Sequence, residues 1–278
     1  KFQGKEKGKM NKKHLGLTLT MLSALVLTSC GKTKIETFPV TGPYMTGKTA
    51  KGVYKAYLGS APTSLNPIES QNAQNVSHLA NLIGTLVMND NYGILRKEIA
   101  SSAFRSDDFK EYRFGIRDDV AWVKSNGEPY QVKGVDQFVK AEDFVFTAKQ
   151  ILDYRKNSEI YYMYTLFVSN AWEYYCYTMM LSFMSEGKEG YKDLKGNNDK
   201  QAAVLTELIK QYSGEDPETP ISGSDIADIA AFKRVGVKVN ADGELQYNLK
   251  ESAQFFPTML TYTPFMPTNQ KFYDSTKG

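Results

Sequence analysis

Asp107-Asp108-Phe109-Lys110-Glu111-Tyr112-Arg113-Phe114-Gly115-Ile116-Arg117 carries the clearest strand signal in this chain. From Tyr112 to Ile116 apolar and other residues alternate, the two-residue period of a half-buried strand. Downstream, Ser125-Asn126-Gly127-Glu128-Pro129 reads as a turn. Ala141-Glu142-Asp143 then opens a helix through Phe144, Ala148, Ile151 and Leu152, its acids at the positive end of the helix dipole. Further apolar helices are predicted over 171–184 and 199–212, followed by a Pro- and acid-rich loop over 214–223. Val235-Gly236-Val237-Lys238-Val239 and Leu245-Gln246-Tyr247-Asn248-Leu249 form a predicted hairpin across Asn240-Ala241-Asp242-Gly243. Phe255 starts another helix. Upstream, Val53–Leu58 alternates as a strand, Ala61–Pro67 is a Pro-punctuated loop, and Leu79, Leu82, Ile83 and Leu86 mark a helix within 76–87. Strands and helices mix throughout, so the class is α/β or α+β.

The first thirty residues read differently. Asn11-Lys12-Lys13-His14 is a short basic start after Met10, and 15–27 is an uncharged run rich in Leu. That run is shorter than the ~20 apolar residues a membrane-spanning helix needs, but suits the core of an export signal. It ends in Leu27-Thr28-Ser29-Cys30, which resembles the bacterial lipobox and implies cleavage before Cys30 and lipid attachment to its sulfur. Residues 1–9 carry no fold signal and read as an upstream extension. Residues 30–51 read as a tether. Inside it, Gly42–Thr49 matches the phosphate-loop pattern G-x-x-x-x-G-K-[ST], but tether precedes the match and a strand follows it, so it reads as chance.

Composition narrows the function classes. The chain has 278 residues, 41% apolar, 23% charged and 13% aromatic, which is globular and excludes disordered and multi-span membrane chains. The formal charge of +3 is misleading. Residues 1–29 hold six Lys and one Glu, net +5, leaving 28 basic and 30 acidic side chains, net −2, over the rest. Bulk charge therefore gives no case for nucleic-acid binding. Cys30 and Cys176 cannot make a disulfide framework, and His14 and His78 cannot build a His-rich metal site. The acid pairs Asp107-Asp108, Asp118-Asp119 and Glu142-Asp143 are adjacent in sequence, so their side chains diverge, unlike a catalytic pair flanking a bond. Neither cofactor nor metal is expected, and no catalytic residue.

Several blocks together resemble the extracytoplasmic solute-binding protein family 5, the oligopeptide-, dipeptide- and nickel-binding lipoproteins of ABC importers. Pro62-Thr63-Ser64-Leu65-Asn66-Pro67 resembles that family's opening motif. The 107–117 stretch, Val120-Ala121-Trp122 with Ser125–Pro129, and Ala141–Phe146 resemble its next blocks in order. Val168–Tyr174, Val235–Val239 with Gln246–Leu249, and Phe255-Phe256 with Pro264–Pro267 complete the series. The resemblance implies an α/β, periplasmic-binding-protein-like (type II) two-lobe architecture. Members of the family are longer, so the expectation is an N-terminal fragment holding only the first lobe in part and an accessory subdomain. The implied layout is 1–9 extension, 10–29 signal peptide, 30–51 tether, 52–86 first part of lobe I, 87–234 accessory subdomain, and 235–278 a truncated return into lobe I.

The function implied is a lipid-anchored binding protein at the extracytoplasmic face of the cell membrane, not an enzyme. It would capture oligopeptides for an ABC transporter permease. By the resemblance, Glu69-Ser70-Gln71-Asn72 runs beside the ligand backbone, where main-chain pairing accepts many peptide sequences. Tyr161, Tyr162 and Tyr164 are candidates to line a side-chain pocket, with packing of the accessory subdomain an equal alternative. Tyr174, Tyr175 and Tyr177 stand in the same position. Trp122 reads as core and Cys176 as a buried small hydrophobe. Other family ligands (a dipeptide, a signalling peptide, a nickel complex) remain open, as does an exported hydrolase using a carboxylate pair.

Overall fold

The computed structural model describes residues 61–69 and 72–276. The lipobox Cys30, the phosphate-loop match and the predicted strand at 53–58 lie outside them, as do Ser70 and Gln71. All described residues belong to one unit by contact.

In chain order the elements are α1 (Ala73–Leu79), β1 (Val87–Asn89), β2 (Leu95–Lys97), β3 (Ala100–Arg105), β4 (Glu111–Ile116), β5 (Gln131–Val132), β6 (Val135–Asp136), α2 (Ala141–Ile151), α3 (Tyr162–Thr165), α4 (Ala171–Ser185), α5 (Asn198–Ser213), α6 (Ile226–Ala230), β7 (Val237–Val239), β8 (Leu245–Asn248), α7 (Phe256–Met259) and α8 (Gln270–Thr276). The main sheet runs β3-β4-β8-β7, and every pairing in it is antiparallel.

The predicted strand at 112–116 is β4, a central strand. Its period sends Tyr112 and Phe114 inward with Leu245 and Tyr247 of β8 and Val237 of β7, all fully buried. The other face carries Arg113, whose guanidinium lies 3.9 Å from the Phe104 ring centroid, with Gln246 paired beside it. Helix α2 packs on β7 and β8, and Phe256 and Phe265 pack against Tyr247 at 5.3 and 6.3 Å between ring centroids. Burying rings of this size dominates the energetics of such a core.

The predicted hairpin is β7–β8. The Asn240 carboxamide accepts from Asp242 and Glu244 N–H, and Gly243 supplies the turn's positive φ of 77°. The hairpin pairs with β4, so one sheet spans both sides of the boundary expected at 234/235. Asp143 bonds back to the Lys140 N–H at 3.0 Å and starts α2 as its acids predict. Helices α4 and α5 lie within one or two residues of their predicted spans.

The predicted helix at 76–87 differs. Asn72 accepts from the Gln74 N–H at 3.0 Å and starts α1 earlier, at Ala73. Beyond Ala80 the Glu98 carboxylate takes the Thr85 N–H at 2.7 Å and draws the chain into β1, leaving Leu82 65% exposed. Strands β1, β2, β3, β5 and β6 have no counterpart in the sequence reading.

Candidate functional site

The predicted ligand loop is built by polar side chains. Asn66 accepts from Ile68 N–H at 3.2 Å and donates its Nδ2 to Glu69 Oε1 at 2.9 Å. Ser64 Oγ donates to Glu69 Oε2 at 2.7 Å. Both carboxylate oxygens of Glu69 are thus held by the loop's own Ser and Asn, while the residue stays exposed. Asn72, also exposed, is the N-cap of α1.

The loop is fixed from two directions. Asn75 of α1, 2% exposed, accepts from Thr63 N–H at 2.9 Å and Ser64 N–H at 3.4 Å. Ser158, 7% exposed, donates its hydroxyl to the Ile68 carbonyl at 2.6 Å, and Glu159 N–H donates to the Glu69 carbonyl at 2.9 Å. The predicted segment around Glu69 is therefore brought beside Ser158 and Glu159, which precede the predicted tyrosines Tyr161, Tyr162 and Tyr164 in the chain. Sequence reasoning missed Asn75 and Ser158.

The tyrosines divide. Tyr161 is half-buried and stacks on Tyr175, ring centroids 4.2 Å apart and 14° from parallel, with Trp172 edge-on at 6.0 Å. Tyr162 is 42% exposed on α3. Tyr164 is fully buried, donates its hydroxyl to the Pro264 carbonyl at 2.9 Å, and packs on Phe265. Its burial raises the hydroxyl pKa well above the ordinary value. Its ring is therefore part of the core under α3. Tyr174 is also buried, edge-on to Phe232, with its hydroxyl pushed up to about 12 by desolvation. Burial pushes the Cys176 thiol up to about 12 as well, so it stays a neutral small hydrophobe. Trp122 is half-buried and donates Nε1 to Asp143 Oδ2 at 3.2 Å.

The acid pairs serve local structure. Asp108 accepts from Ser106 and the Lys110 N–H, and Asp119 takes Arg117 in two bonds of 2.8 Å. Among the described residues no group of three or more His, Cys, Asp or Glu could hold a metal ion, and no helix is long and apolar enough to cross a membrane. The loop at 61–69 ends in an exposed, oriented carboxylate, while the N–H groups of Thr63, Ser64, Asn66, Ile68 and Glu69 are already bonded within the chain. A fixed, exposed carboxylate suits non-covalent contact with a polar ligand.

No family model matches the chain. The oligopeptide-binding protein AmiA of Streptococcus pneumoniae is 27% identical over 260 residues, 94% of this chain and 29% of AmiA. The oligopeptide-binding protein AliB of the same species is 30% identical over 156 residues, 56% of this chain and 21% of AliB. The chain thus spans less than a third of the length of the curated relatives it matches. A periplasmic oligopeptide-binding protein of Borrelia burgdorferi solved by crystallography shares the fold, with a TM-score of 0.51, 19% identity, and coverage of 79% of this chain and 32% of that one. These relatives bear out the resemblance seen in the sequence blocks. Over most of its length the chain is similar to peptide-binding proteins of solute-binding family 5, and its fold is that of part of such a protein.

Proposed function

We propose that this chain belongs to a lipid-anchored substrate-binding protein that captures oligopeptides outside the cytoplasm for an ABC import permease. The observation that carries the reading is the similarity to AmiA, named an oligopeptide-binding protein, over 94% of the chain. In this reading the segment Glu69-Ser70-Gln71-Asn72 runs beside an extended peptide and pairs with its backbone. Main-chain hydrogen bonds ignore side-chain identity and so admit many sequences. Tyr161 and Tyr162 offer aromatic faces to the ligand's side chains, and Tyr164 supports them from the core. Glu69, already oriented by Ser64 and Asn66, adds a fixed negative charge at the loop's edge.

Cys30 carries the anchor in this proposal, the basic start and the apolar run at 15–27 directing export before lipidation. Two or three acyl chains, each buried CH₂ contributing about 0.8 kcal/mol, would hold the protein at the extracytoplasmic membrane surface. In this proposal the captured peptide is delivered to permease subunits, the partner that the resemblance implies. Binding involves no covalent step. Incubating the purified protein with a defined peptide panel tests the reading: saturable binding with intact peptide recovered is expected. Turnover of the panel would instead favour a hydrolase using a carboxylate pair.

A further inference from the structure

Two buried side chains outside the predicted site hold the ends of its loop. Residues 63–69 form neither helix nor strand, and their internal bonds, Ser64 to Glu69, Asn66 to Glu69 and Ile68 to Asn66, span five residues at most. A segment without ladder bonds is ordered chiefly by what fixes it from outside. At its start, Asn75 accepts from Thr63 N–H at 2.9 Å and Ser64 N–H at 3.4 Å while its Nδ2 donates to Thr63 Oγ1 at 3.2 Å. At its end, Ser158 Oγ donates to the Ile68 carbonyl at 2.6 Å, and Glu159 N–H takes the next carbonyl, that of Glu69, at 2.9 Å. Asn75 lies on a helix that follows the loop, and Ser158 comes from a segment 90 residues away, so the anchors belong to different parts of the chain.

The geometry points to Asn75 and Ser158 as a two-point clamp that positions the Thr63–Glu69 loop for ligand binding. The inference rests on the peptide-binding reading above. Glu69, at the clamped end, is the first residue of the segment proposed to pair with the ligand's main chain, and a segment entered from a fixed point loses less entropy on capture. Both anchors act on main-chain groups, so the loop's path is set without engaging the Leu65 side chain, which is 49% exposed.

Hydrogen-exchange mass spectrometry on the full 278-residue chain tests the clamp. Asn75→Ala and Ser158→Ala should each speed exchange over 61–69 by roughly two- to tenfold, the factor that loss of one hydrogen bond implies. Tyr112→Phe is the control. It removes a buried bond to the Ala253 carbonyl of 2.8 Å, and should lower Tm without changing exchange in the loop. Asn75→Asp keeps the acceptor and Ser158→Thr keeps the hydroxyl, so both should restore protection. A random pentapeptide mixture at millimolar concentration should slow the loop further in the wild type and in the conservative variants, and less in the alanine variants. Wild-type exchange over 61–69 in both alanine variants, or an equal increase along the whole chain, would overturn the clamp. Loop exchange that responds to the alanine variants while wild type ignores peptide would keep the clamp and count against the peptide reading.

Discussion

Arg234 grips Glu173 through two parallel hydrogen bonds, Nε to Oε2 at 2.9 Å and Nη2 to Oε1 at 3.0 Å, across 61 residues of sequence. Glu173 is 2% exposed in the first turn of α4. Arg234 also reaches Asp225 at 2.6 Å and the Thr219 hydroxyl, so one guanidinium ties α4, the acid-rich loop and the entry to β7 together. Such a pair is costly to half-break, because the remaining charge stays buried without its partner.

Arg234→Ala should therefore destabilise the fold by about 3–5 kcal/mol at neutral pH, measured by urea denaturation. Desolvation raises the Glu173 pKa and Arg234 opposes it. Without Arg234 the raise grows. The folded state then binds a proton where the unfolded carboxylate is still ionised, so stability falls as pH rises. The variant should be closer to wild type at pH 5 than at pH 8, and an equal deficit at both would sink this account.

Asp143 gives a second pH signature. Burial pushes its pKa up to about 6, against bonds from the Lys140 N–H and Trp122 Nε1 that lower it. Its folded value lies above its unfolded value, so between roughly pH 4 and 6 the folded state binds more protons, and this group's contribution to stability declines as pH rises through that window. Both donors address Oδ2, and an amide oxygen can accept both. Asp143→Asn should flatten the pH profile over that window and recover up to about 3 kcal/mol at pH 7.5. Thermal melts from pH 4 to 8 decide it. A variant that follows the wild-type slope would show that Asp143 is not the titrating group.

Gly236 sits where three chain segments cross. Its N–H donates to the Ser169 carbonyl at 2.9 Å, its carbonyl accepts from Asn248 at 2.7 Å, and Ser169 N–H reaches the Asn248 carbonyl at 3.0 Å. A Cβ here would collide with the Asn248 carbonyl oxygen, a main-chain atom unable to step aside. Gly236→Ala should cost about 1–3 kcal/mol or more as overpacking. Gly243→Ala, strained only by its φ of 77° in an open turn, should cost about 1 kcal/mol. A melt series ranking the two in reverse would refute the crossing as the tighter constraint.

These residues also show where sequence reading stops. The β7–β8 hairpin was legible because its signals are local: Asn240 and Gly243 make the turn within their own four residues. Strand β3 was not, because Ser101, Ser102 and Arg105 break the alternation and the strand exists by pairing with β4. The displaced start of α1 turned on one Asn72 bond that competed with the apolar stripe. Of the proposed site, Glu69 and Asn72 are named from the resemblance and the tyrosines from their aromatic chemistry alone. Tyr164 ended in the core because Pro264, 100 residues on, takes its hydroxyl. Asn75 and Ser158 carry no pattern at all, since their partners are main-chain atoms 12 and 90 residues away.

The proposed anchor has a direct test. Cys30→Ser should move the protein out of the membrane fraction, and mass spectrometry should find lipid on Cys30 in the wild type. A variant that stays membrane-bound at equal yield, with no lipid on the wild type, would refute the lipobox reading.

The affinity of this chain for peptide is the last expectation. By the family resemblance the ligand is held between two lobes, and this chain spans 29% of the length of AmiA. In the proposed reading, the segment from Glu69 to Asn72 and the tyrosines at 161 and 162 would supply one wall. A peptide on one wall keeps much of its hydration yet loses translational and rotational freedom, at a cost of about 4–15 kcal/mol. Main-chain bonds open to water on one side return about 0.5–1.5 kcal/mol each, so a handful of them leave little surplus. The exposed side chains of Tyr162, Leu166 and Phe255 favour association between copies as a competing way to cover apolar surface. Isothermal titration of the chain with a mixed oligopeptide library should therefore give binding only in the millimolar range, with sedimentation showing concentration-dependent association. Micromolar binding at one peptide per chain would show that a single wall holds a complete site, and that the two-lobe argument fails for this protein.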